Sequence, residues 1–111
     1  MKILIDANVL YQTEMREVEV GVAKTGLFTP QWSARILEEW ARAASKLGPQ
    51  GEAQARGEIA MLQAAWPGAE VRYAPELENR LWLPDPNDVH VLAAAIAGSA
   101  DAIMTVNAKD F

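Results

Sequence analysis

Cysteine is absent from this chain, so neither a disulfide framework nor a thiolate metal site is available to it. Long apolar runs are absent as well. The alanine-rich stretch at residues 91–97 falls far short of the roughly 20 residues a membrane-spanning helix needs. The opening Met1-Lys2-Ile3-Leu4-Ile5-Asp6 meets an acid too soon to act as a signal peptide, and a cytoplasmic protein is the expectation. Positive charge is scarce: ten Lys and Arg against fifteen Asp and Glu leave a net charge of −5. That balance argues against a domain that grips nucleic acid through a broad basic surface. It still permits nucleic acid if the acids gather around cations, since two bound Mg²⁺ would bring the total to about −1. There is no internal repeat, low-complexity tract or linker. What remains is an ordinary soluble composition, half hydrophobic and 23% charged over 111 residues, expected to form one domain over 1–111 with a single core.

Taken in order, residues 2–6 read as a buried first strand. Ile, Leu and Ile follow one another without alternation, as in a parallel sheet covered on both faces. It ends at Asp6-Ala7-Asn8, and ligand sites in open α/β sheets lie beyond the carboxyl ends of strands. Thr13 opens a helix to about residue 24, with Met15, Val18 and Val22 inward and Gly26 as its stop. A short strand is expected at 27–29, closed by Pro30. Ser33 caps the next helix, which turns Leu37, Trp40, Ala44 and Leu47 to the core. After Gly48-Pro49 a further helix runs from about 52 to 66, with Ala55, Ile59, Leu62 and Trp66 inward and Pro67-Gly68 ending it. Residues 71–73 read as a strand, and 75–82 as a short helix or turn packing Leu77 and Trp82.

The turn Asp85-Pro86-Asn87-Asp88 then starts a helix of small apolar residues to Gly98 or Ser99, and a buried strand follows at 102–105. Asp88, Leu92 and Ala95 share one stripe, which places a carboxylate at the head of the expected buried face. Helix capping is the common reason for an acid there. The alternation of strands and helices implies a small three-layer α/β fold with a central parallel sheet flanked by helices. In such a fold the end of strand one, the start of the Asp88 helix and the turn after Thr105 converge.

Asp6, a glutamate of the Ser33 helix, Asp88 and the turn at 107–110 would then share one cleft. Carboxylates crowded together repel, and the usual resolution is a hard divalent cation held by oxygen ligands. Such an ion polarises a phosphodiester and activates a bound water. Of the two adjacent glutamates, Glu38 has Arg42 four residues on, the favourable order for a surface pair. Glu39 lies on the other flank, beside Ile36 and the small Ala43, with room for a ligand, although Arg35 lies near enough in sequence to pair with it.

Four stretches together carry a family resemblance: Asp6-Ala7-Asn8-Val9-Leu10, the Ser33 to Glu39-Trp40 helix start, Asp85-Pro86-Asn87-Asp88-Val89-His90-Val91-Leu92, and Thr105-Val106-Asn107-Ala108-Lys109-Asp110-Phe111. Their order and spacing resemble a PIN domain, and more narrowly the bacterial VapC-like branch that includes toxins of toxin–antitoxin pairs. The resemblance implies an endoribonuclease dependent on Mg²⁺ or Mn²⁺. It makes Asp6, Glu39 and Asp88 the first three acids, with Asn107 in the fourth acidic position. Asn ligates through its carbonyl but adds no charge; Asp85 or Asp110 would compensate. It also implies an RNA substrate, an antitoxin partner and a homodimer. Because PIN domains often continue into a further strand, the ending at Asp110-Phe111 reads as a shortened or a minimal domain.

Asn8 and Thr105 sit beside the expected ligands and are read as orienting them or a water. His90 points away from the Asp88–Leu92 stripe and is read as a surface histidine. The four tryptophans are read as core or interface anchors, and Arg80 and Lys109 as solvated. One rival is a PIN domain that has lost turnover and binds RNA or protein. Another is a phosphotransfer or receiver domain, which lacks a convincing lysine here.

Overall fold

Ile3, Leu4 and Ile5 supply the centre of the molecule. They lie in β1 (Lys2–Ile5), and Leu4 and Ile5, which point to opposite faces, are both wholly buried. A strand buried on both sides must be covered by helices on both sides. The computed structural model, which describes residues 1–106, shows this arrangement. β1 pairs in parallel with β2 (Thr29–Gln31) on one side and with β3 (Ala102–Met104) on the other, giving the order β2-β1-β3. The fold is α/β with a three-stranded parallel sheet, as the sequence implies.

The chain leaves β1 through α1 (Ala7–Tyr11) and α2 (Thr13–Lys24) to reach β2. It then returns through α3 (Ala34–Ala44), α4 (Pro49–Ala65) and α5 (Val89–Ala97) to β3 on the far side. The first connection carries the chain to one side of β1, and the second carries it back past β1 to the other side. In open α/β sheets that reversal opens a crevice beyond the strand ends, and Asp6 stands there.

Local chemistry accounts for most boundaries. Ser33 Oγ accepts from the Ile36 N–H at 3.1 Å and caps α3. Ile36, Leu37, Trp40, Ala41 and Ala44 bury one face of that helix. Gly48 ends the 3₁₀ turn Ser45–Leu47 with φ +92° and ψ 178°, a region essentially reserved for glycine. Pro49 then starts α4 at its first position, three residues earlier than the apolar spacing suggests.

Several expectations are corrected. The short helix α1 begins immediately after the Asp6 cap, where no helix was expected. β2 lies two residues later than read and contains Pro30, which an edge strand tolerates because its missing N–H faces away from the ladder. Residues 71–73 do not form a strand. The chain instead touches the sheet beside Trp32, with Trp32 N–H donating to Ala69 and Val71 N–H donating to Trp32. Val18, Leu47 and Trp82 are exposed, at 60%, 71% and 80%. Residues 75–80 form a 3₁₀ turn that leaves Trp82 outside it.

Helix α5 is turned differently from the expected stripe. Its buried side chains are His90, Val91, Ala93, Ala94 and Ala95, while Asp88 and Leu92 are only partly covered. The helix is apolar almost all round, so periodicity could not choose its inward face. Among the described residues no helix is long and apolar enough to cross a membrane.

Candidate metal-binding and active site

Asp6 follows β1 directly and is 5% exposed. Its N–H continues the ladder by donating to Met104 O at 3.0 Å, which fixes the residue against the end of β3. Its Oδ1 accepts from the Ala7 N–H at 2.7 Å, and its Oδ2 accepts from Thr105 Oγ1 at 3.1 Å. Residues 99 positions apart in sequence thus meet because the two strands end side by side. Burial pushes the Asp6 carboxyl above its ordinary value of 3.8. The bonds from Thr105 and Ala7 oppose that shift, the nearby Glu39 carboxylate adds to it, and His90 opposes it.

The two glutamates of α3 have separate fates. Glu38 is held at the surface by Arg56 through bonds of 2.9 and 3.1 Å, and by Arg42 at 3.4 Å. These cations hold its carboxyl below the ordinary value. Glu39, as exposed as its neighbour, instead reaches the buried His90, with Oε1 2.8 Å from Nε2. Arg35 pairs with Glu78 at 3.6 Å rather than with Glu39. Tyr73 donates to the same Glu78 at 2.8 Å, and burial with that bond pushes its phenol up to about 12.

Asp88 closes the 3₁₀ turn Pro86–Asp88 and precedes α5, yet its side chain makes no capping bond. The cap of that turn is Asp85, whose Oδ1 accepts from the Asn87 N–H at 2.9 Å. Asn8 is exposed on α1, two residues beyond Asp6. Asn107, Lys109 and Asp110 lie outside the described residues.

The reading of His90 as a surface residue is overturned, because the ring is 1% exposed. Its neighbours in sequence gave no sign of this, since the partner that draws it inward sits on another helix. The structure therefore brings Asp6, Thr105, Glu39 and His90 into one electrostatic neighbourhood. It does not gather Asp6, Glu39 and Asp88 tightly: among the described residues no group of three or more His, Asp or Glu is arranged to hold a metal ion.

A model of the PIN domain matches residues 2–109. The chain belongs to the PIN domain family. PIN domains are generally nucleases, and membership of the family supports a nuclease-type function. PIN domains also generally use divalent metal ions. No curated protein and no solved structure matches the chain.

The donors present suit such an ion. Asp6 and Glu39 are hard oxygen ligands whose mutual repulsion a cation relieves. Mg²⁺ commonly takes one or two carboxylates and completes its shell with water and substrate phosphate. Among the described residues, Asp6 and Glu39 are the carboxylates that would hold such an ion at the crevice.

Proposed function

We propose that this PIN domain is a Mg²⁺- or Mn²⁺-dependent endoribonuclease of the VapC-like type. The observation that carries the reading is the buried Asp6 carboxylate at the β1–β3 crevice, raised by burial and faced by Glu39. Among the described residues no cationic side chain is hydrogen-bonded to this enclosed acid, a costly arrangement that a bound cation would relieve. Asp6, Glu39 and Asp88 would hold the ion, with Asn107 in the fourth position and Asp85 or Asp110 as further oxygen donors. The ion supplies charge neutralisation at the phosphodiester and an activated water. The protein supplies placement: Thr105 and the Ala7 N–H fix the rotamer of Asp6, and Glu39 is carried on a helix anchored by two buried tryptophans, Trp32 before it and Trp40 within it. Asn8 stands at the exposed rim, where it can meet substrate or water.

Incubating single-stranded RNA with the protein and millimolar Mn²⁺ tests this. Cleavage should require the metal and should fall at least 100-fold in Asp6→Asn and Asp88→Asn. Metal-independent cleavage, or activity retained in both variants, would contradict it.

A second reading is a PIN domain that binds RNA or protein without turnover. It is favoured by the absence of a three-acid cluster among the described residues. RNA binding without cleavage at any Mn²⁺ concentration would select it.

The VapC-like assignment carries partners with it, an antitoxin protein and a second copy of the chain. Met61, 72% exposed, stands with Leu62 and Trp66 along a groove of about 330 Å³ between α2 and α4, which supports an apolar pairing surface for a homodimer. Light scattering at high micromolar concentration should give twice the 12.1 kDa chain mass; a strict monomer would refute it.

A further inference from the structure

Helix α5 carries one polar side chain among nine residues, and that side chain faces the interior. An imidazole in such a place is unfavourable unless it has a partner. His90 Nδ1 has none among the described residues, and Nε2 makes one close contact, with Glu39 Oε1 at 2.8 Å, off the line of an aligned hydrogen bond. The contact joins α5 to α3 at the edge of the Asp6 neighbourhood. Glu39 is 38% exposed, and without a fixed neighbour its three side-chain torsions would sample solvent-facing rotamers. The glutamate beside it, equally exposed, is held instead by Arg56 and Arg42 on the other flank of the helix.

We propose that His90 is a positioning residue: through Nε2 it holds the Glu39 carboxylate inward, beside Asp6, as a preformed half of the cation site. This rests on the metal-dependent reading above. The role is that of an outer partner which orients a ligand, a kind of contact whose loss typically weakens metal affinity by about 10–100-fold. An apolar residue of similar size would fill the same space in α5 but would leave the carboxylate free to turn away.

Mn²⁺ titration calorimetry on the full chain separates these roles. His90→Leu should weaken Mn²⁺ binding about tenfold or more, while His90→Gln, which keeps an N–H near the Nε2 position, should stay within about threefold of wild type. Melts in EDTA report whether each variant folds. Should the Leu variant not fold, the ring itself supplies the readout, because the chain has a single histidine. Its imidazole ¹⁵N resonances should shift in Glu39→Ala and stay in place in Glu38→Ala. A Leu variant that binds Mn²⁺ as tightly as wild type overturns the proposal, as do ring signals indifferent to Glu39→Ala. A wild type that takes up no Mn²⁺ overturns the metal-dependent reading itself and this inference with it, an outcome distinct from equal affinity in wild type and variant.

Discussion

At the scale of residues, two buried charges define what holds this protein and what strains it. Asp6 is the strained one. Its carboxyl titrates above 3.8 in the folded chain. Below 3.8 it is protonated in both states and imposes no penalty. As the pH rises, the unfolded chain releases the proton first, so metal-free stability falls from about pH 4 until the raised folded value is passed, and then levels off. Asp6→Asn keeps a carbonyl for the Ala7 N–H and an amide for Thr105, so it should melt higher than wild type in EDTA at pH 7. That advantage should vanish at pH 3; equal melting temperatures at both pH values would refute it. Arg16 is the holding charge. It is 8% exposed, donates to Leu10 O and to Glu58 at 2.9 Å, and lies 4.7 Å over the Trp40 ring. Arg16→Met should destabilise by about 2 kcal/mol, because it leaves a buried carbonyl without its donor and removes the stacking on Trp40. Urea unfolding measures it, and a change below about 0.5 kcal/mol would mean the pair is idle.

At the scale of elements, caps and glycines decide boundaries, and these were the most readable features of the sequence. Ser33 could be read as a cap because the apolar spacing of Leu37, Trp40 and Ala44 begins just after it. Ser33→Ala should lower stability by about 1 kcal/mol. Gly48 holds a backbone conformation that other residues rarely adopt, and Gly48→Ala should lower stability by about 2 kcal/mol. Chemical denaturation checks both, and a neutral result in either case would contradict its assigned role. Helix α1 escaped detection because five residues are too short to display a period. The face of α5 escaped it because eight of its nine residues are apolar. Trp82 looked like a core residue by type alone; nothing in its neighbours revealed that the turn Pro75–Arg80 would leave it outside.

At the scale of the whole molecule, strand order carries the functional argument. The sequence implied a parallel sheet from the unbroken Ile3-Leu4-Ile5 run, and hence a crevice where Asp6 and Thr105 meet. What no local pattern could supply was the meeting of His90 with Glu39, residues 51 positions apart, because it depends on how their two helices are turned toward each other. Whether the crevice at Asp6 takes a divalent cation, as proposed, is tested most directly by thermal melts of wild type and Asp6→Asn, each in EDTA and in excess Mn²⁺. At a metal concentration of 100 times the dissociation constant, wild type should gain about 2.7 kcal/mol by mass action, and Asp6→Asn should gain almost nothing. A wild type whose melting point ignores Mn²⁺, or a variant that gains as much as wild type, would contradict the account.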